Sequence, residues 1–130
     1  METMPLTAPA AVSELTDVAL LARVFAGISE PARLQILLLL LDGEYNVGEL
    51  VSRTGISQGR VSIHLQCLRH CGFVASERRG KFVYYRVRDG RVRELLHHAQ
   101  ELAADHAAEL ASCGVLNYET RQRDASERLQ

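Results

Sequence analysis

At Gly72 the apolar pattern of this chain changes period. Ahead of that glycine, Val61, Leu65 and Leu68 follow Ser57 at spacings of four and three, the pattern of a capped helix from Ser57 to about Cys71. Behind it, Phe73 to Arg79 and Phe82 to Val87 alternate as strands do, joined by Arg79-Gly80-Lys81. A short helix at about Val47 to Thr54, with Asn46 as its cap, precedes the tight turn Gly55-Ile56. Helix, tight turn, capped helix and basic hairpin occur in that order in a winged helix-turn-helix, so the expected fold is mainly α (α+β).

The flanks read as helical. Leu15, Val18, Ala19, Ala22, Phe25 and Ala26 mark a first helix behind a candidate cap at Ser13. Pro31 suits the first turn of a second helix that runs to Leu41 and stops at Asp42-Gly43. It is apolar on most faces and should lie centrally in the core. A long last helix is expected from about Gly90 to Ala111, carrying Val92, Leu95, Leu96, Ala99, Leu102, Ala103, Ala107 and Leu110. Residues 1–12 read as a flexible arm, 13–112 as the DNA-binding and dimerisation domain, and 113–130 as a ligand-bearing segment with a disordered tail from 117.

Charge gives the middle of the chain a direction. From Arg53 to Arg93 there are ten basic and two acidic residues, while the rest has five basic and fourteen acidic. The formal net charge of −1 therefore hides a basic centre on an acidic body, the distribution of a nucleic-acid reader. In the expected geometry the helix after the turn enters the major groove of double-stranded operator DNA. Ser57, Gln58, Arg60, Ser62 and His64 are its candidate contacts, because Gln can pair with adenine and Arg with guanine. Arg78, Arg79 and Lys81 form a short basic wing suited to phosphate or the minor groove.

Two of the three cysteines, Cys67 and Cys71, lie four apart on the same helix. That spacing puts two sulfurs on one face, beside the Val61/Leu65/Leu68 stripe rather than on it. Small buried hydrophobes, a redox pair and half of a soft-metal site are all consistent with it. Cys113 is the one remaining thiol. If its helix pairs across a dimer, it can approach the other two and complete a site for Cd(II), Pb(II) or Hg(II). His70 points away from Cys71, and His97, His98 and His106 read as solvated or dimer-contact residues.

The blocks Ile28-Ser29-Glu30-Pro31-Ala32-Arg33-Leu34-Gln35-Ile36-Leu37, Gly55-Ile56-Ser57-Gln58-Gly59-Arg60-Val61-Ser62-Ile63-His64-Leu65, Leu68-Arg69 and Gly72-Phe73-Val74 resemble the ArsR/SmtB family of bacterial metal-sensing repressors. The resemblance spans about residues 15 to 112. It implies a homodimer held by the first and last helices, repression by the metal-free form, and release of DNA on inducer binding. Cys67 and Cys71 flanking Leu68-Arg69, with a lone cysteine about forty residues later, resemble the cadmium/lead sensor subgroup typified by CmtR. By that resemblance Cys67, Cys71 and Cys113 are the metal ligands.

Other subgroups fit poorly. A Cys-x-Cys in the helix before the turn would fall near Val47-Gly48-Glu49-Leu50, where there is no cysteine. The last-helix zinc and nickel site would need ligands at Asp89, Arg91, Leu102 and Asp105, two of which are not ligands for such a site.

No phosphate-binding loop, Ser/His/Asp set or paired-carboxylate cleft supports an enzyme. The longest apolar run, Ile36 to Leu41, is too short to span a bilayer. With no basic n-region before Arg23, a cytoplasmic location with reduced thiols is expected. The alternative function is a thiol-redox-sensing winged-helix repressor.

Overall fold

The computed structural model describes residues 16–128. The chain divides into two units, with the boundary between Gly90 and Arg91. In the first unit, α1 (Asp17–Ser29) and α2 (Pro31–Leu40) are followed by β1 (Tyr45–Asn46), α3 (Val47–Thr54) and α4 (Gln58–His70). The strands β2 (Val74–Arg79) and β3 (Phe82–Val87) complete it. Together with β1 they form an antiparallel sheet of order β1-β3-β2, with Tyr45 opposite Tyr85 and Val74 opposite Val87.

Each boundary has a local cause. Thr16 caps α1, its side chain accepting from the Ala19 N–H at 3.0 Å. The expected cap Ser13, the arm 1–12 and Leu15 lie outside the described residues. Glu30 caps α2 by accepting from the Arg33 N–H at 3.0 Å, and Pro31 takes the first helical position, where its missing donor costs nothing. Asn46 and Glu49 make a reciprocal capping box at the start of α3. Ile56, in the turn between α3 and α4, is a buried plug.

The core of this unit is Ile36, Leu37, Leu50, Val61, Leu65, Leu68 and Val74, each almost completely buried. Burying each side chain of this kind contributes about 1.5–3 kcal/mol. The helix expected to be central is so: Ala32, Ile36, Leu37 and Leu40 of α2 are all buried. The apolar stripe expected on α1 is not covered. Of that stripe Val18 is 78 % exposed and Phe25 50 %, and Leu21 beside it is 58 % exposed, while Gly27 and Ile28 are the buried residues of the helix.

From Arg91 on, the second unit contains α5 (Gly90–Asp105, whose first residue closes the first unit), α6 (Ala107–Ser112) and α7 (Gly114–Arg128). It departs from the expected single helix and disordered tail. The helix breaks at His106, whose backbone leaves helical angles, although the Leu102 and His106 carbonyls still accept from His106 and Leu110. Residues 114–128 are helical, not disordered. Val92 and Leu96 are buried, whereas Leu102, Val115 and Tyr118 are well exposed.

Candidate nucleic-acid interface and thiol site

The helix α4 carries both candidate sites, and its two ends are firmly defined. At its start the Ser57 hydroxyl accepts from the Arg60 N–H at 3.4 Å. At its end Cys71 is the last cap position and Gly72 adopts φ +83, in the left-handed region. The Gly72 N–H donates to the Arg69 carbonyl at 3.1 Å and the Phe73 N–H to the Leu68 carbonyl at 3.0 Å. This paired arrangement is a Schellman motif, and its glycine is required because a Cβ is disfavoured there. It explains the change of period: the chain reverses at Gly72 and enters β2 two residues later.

Successive helical residues turn by about 100°. With Val61, Leu65 and Leu68 buried, the side of α4 facing directly away from the core carries Gly59, Ile63, Gln66 and His70, all exposed. Ser62 and Gln58 border it on one side and Arg60 on the other, and all three are exposed. Ser62, Leu65, Gln66 and Arg69 line an open cleft of 180 Å³ with Tyr85 of β3. The Arg69 guanidinium donates to the Ser76 hydroxyl at 3.3 Å, joining the helix to the sheet. Gln66, Arg69 and Ile63 were not among the sequence candidates. A full turn-by-turn projection from the buried stripe would have found them.

His64 lies apart from this face. Its ring is 13 % exposed and its Nε2 sits 3.7 Å from the Glu30 carboxylate, the residue that caps α2. The geometry ties this helix to α2 and turns His64, expected as a DNA contact, toward the Glu30 carboxylate instead.

The hairpin turns at Gly80-Lys81, with Arg79 paired to Phe82. Arg78 and Lys81 are exposed at its tip, and the Lys81 ammonium lies 5.6 Å from the Phe82 ring centre. Arg79 is engaged differently. Its guanidinium bonds the Glu77 carboxylate at 2.8 Å, pairs with Glu44 and lies over the Tyr84 ring. The hydrogen bond from Arg79 holds the Glu77 carboxyl below the usual carboxylate range. The Glu77 bond and then the Glu44 bond raise the Arg79 pKa in turn. Arg79 thus fastens the wing to the segment before β1, while Arg78 and Lys81 present their charges outward.

Cys67 is half-buried and Cys71 exposed, at the edge of the core as their spacing predicted. Loss of surrounding water is the largest influence on the Cys71 thiol and raises its pKa. The charge and hydrogen bond of Cys67 add to the rise, and Arg33 and Arg23 oppose it. The Cys71 sulfur lies beside Gly27 of α1: a Cβ built on that glycine would stand 3.8 Å from it and only 2.7 Å from the Phe73 ring. The Cys71 thiol therefore lies at the end of α4 beside the last turn of α1. Two adjacent thiols on one helix face suit a soft cation.

Cys113 belongs to the second unit. It is half-buried at the corner between α6 and α7, and its carbonyl accepts from the Asn117 N–H at 3.0 Å. It stands at a bend within a longer helical segment, not at the end of the last helix. Among the described residues no three His, Cys, Asp or Glu side chains gather into a group able to hold a metal ion. No helix among the described residues is long and apolar enough to cross a membrane.

Comparison with known proteins agrees with this architecture. Residues 30–76 match the family model described as bacterial regulatory protein, arsR family. A relative named "Probable mercury resistance operon repressor", from Streptomyces lividans, is 46 % identical over 102 residues, covering 78 % of this chain and 82 % of that one. The HTH-type transcriptional regulator CmtR of Mycobacterium bovis is 38 % identical over 76 residues, covering 58 % of this chain and 64 % of that one. The solution structure of a homodimeric winged helix-turn-helix DNA-binding domain from Mycobacterium bovis is similar with a TM-score of 0.65 and 31 % identity. It covers 75 % of this chain and 94 % of that one. The fold is a winged helix-turn-helix, and the chain belongs to the ArsR family of bacterial transcriptional regulators, which are not enzymes.

Proposed function

We propose that this ArsR-family repressor binds operator DNA as a homodimer and leaves it when a thiophilic heavy metal binds Cys67, Cys71 and Cys113. The observation that carries the reading is the placement of the thiol pair. Cys71 is the terminal cap of the helix that bears the exposed polar face, and the wing strand begins three residues later. A ligand held there acts on both DNA-facing elements at once. Ser57, Gln58, Arg60 and Ser62 are the proposed base-side contacts, Arg78 and Lys81 the phosphate contacts, and Arg79 and His64 hold the wing and the helix in place.

The exposed apolar residues of α1, Val18, Leu21 and Phe25, supply a face for the second subunit. Bound metal would supply a cross-link between the end of α4 and Cys113, which we place in the partner's copy of the chain. Cys71 must release its proton to ligate, and Arg33 and Arg23 favour the thiolate that results. If the linked dimer fits DNA less well, metal and DNA weaken each other's binding by the same factor. Of Cd(II), Pb(II) and Hg(II), we put Hg(II) first, a choice supported by the 46 % identity to a relative named for a mercury resistance operon.

The test is titration of the reduced full chain with each ion, read by thiolate-to-metal charge-transfer absorption, on wild type and Cys113→Ser. One site per subunit, weakened by the substitution and coupled to loss of DNA binding, is the expected result. A band indifferent to Cys113 would sink the three-thiol site. DNA release by peroxide, reversed by reductant and untouched by chelator, would replace metal sensing with redox sensing.

A further inference from the structure

We propose that Ile63 is a specificity-determining residue that packs against the methyl group of a thymine in the major groove. The inference rests on the DNA-reading function proposed above and names part of what is read.

Ile63 is 65 % exposed at the middle of the outward face of α4. A large apolar side chain there loses favourable burial as long as the chain is alone, and its neighbours on that face are Gln66, His70 and Ser62. Polar residues alone would serve a solvated helix. A single apolar residue at the centre of a polar reading face calls for an apolar spot in the partner. In the major groove the thymine C5-methyl is such a spot, and direct apolar contact is a recognised way of reading it.

Two further features fit. Isoleucine is branched at Cβ and stiff in a helix, so little freedom is lost when its methyl groups are held against a fixed target. One turn earlier on the same face stands Gly59, where an added Cβ would meet nothing within 4 Å. The fold has room for a side chain at 59, in the first turn of α4, and carries none. The outward face is therefore bare just ahead of Ile63, which lets a base edge come close to the helix axis and meet the isoleucine from the side.

The experiment selects binding sequences from a random duplex pool with the full-length protein. Each thymine of the best sequence is then replaced singly by uracil, which removes only the methyl. At one thymine per half-site, uracil should weaken wild-type binding about fourfold, the factor equivalent to one buried methyl-sized group. Ile63→Ala should bind the thymine and uracil forms of that position equally, with thermal unfolding unchanged because the side chain is exposed. If wild type is indifferent to uracil at every position, or if the penalty persists in Ile63→Ala, the role of Ile63 is overturned while the DNA-reading function stands. If no sequence is enriched, the DNA-reading function itself fails and this role falls with it.

Discussion

Replacing Gly27 by alanine should destabilise the protein, against the intrinsic preference of a helix for alanine. Gly27 lies in the last turn of α1, where alanine gains up to about 1 kcal/mol in propensity. The new Cβ, however, would stand 2.7 Å from Cε2 and 3.4 Å from Cζ of Phe73. Carbon atoms pack comfortably at about 3.5–4.0 Å, so the ring must retreat by about 1 Å. Its backbone cannot follow freely. The Phe73 N–H is bound to the Leu68 carbonyl, and its own carbonyl accepts from the Arg88 N–H, both at 3.0 Å. Overpacking of this kind costs about 1–3 kcal/mol, leaving a net loss of about 1 kcal/mol. The assay is urea unfolding at one fixed protein concentration, repeated on a Phe73→Ala background. With the ring gone the clash is gone, and Gly27→Ala should then stabilise by up to about 1 kcal/mol. This reversal of sign is the decisive feature of the cycle. A Gly27→Ala protein as stable as wild type with Phe73 present would show that the ring moves aside without cost, and would refute the reasoning.

The cap of α2 offers a second measurement. Glu30→Ala should cost about 1–2 kcal/mol in chemical denaturation, since it removes a buried cap and the partner of His64, while Glu30→Gln should recover the cap share. Cys71 offers a third, followed by alkylation against pH. Desolvation and Cys67 raise its pKa above the ordinary value of 9.0, so the midpoint of its reactivity should lie higher still, and Cys67→Ser should bring it down. The folded state holds this proton more tightly, so the associated stability is complete below pH 9.0 and lost as the pH rises through the folded value. Faster reaction of Cys71 than of a free thiol at pH 8 would contradict this.

Local signals predicted the fold well where the cause is local. Asn46 before α3, Ser57 before its helix, Pro31 behind Glu30 and Gly72 at the reversal each act within a few residues, and each does what its position implies. Cys67 and Cys71 were placed at the core edge by spacing alone. What escaped is non-local or weakly patterned. The two-residue β1 exists only because Tyr45 and Asn46 pair with Tyr85 and Tyr84. The grip of Glu44 on Arg79 spans 35 positions, so a residue legible as a wing cation is half occupied by a carboxylate that no spacing rule connects to it. The helix α7 is polar and exposed, and lacks the apolar stripe that would have announced it. Ile63 carries no local signal of its own: its exposure follows only from its position opposite Val61, Leu65 and Leu68 around the helix.

Around the circumference of α4, three tasks occupy three separate sectors. Val61, Leu65 and Leu68 face the interior, Gly59, Ile63 and Gln66 face outward, and Cys67 and Cys71 stand on the flank between. Mutations that exchange a thiol for an imidazole or carboxylate therefore leave the folding stripe and the outward face intact. Under the proposed function such a helix can change the chemistry it responds to over evolutionary time while keeping its buried stripe and its outward face, and a designer can treat the flank as an interchangeable socket.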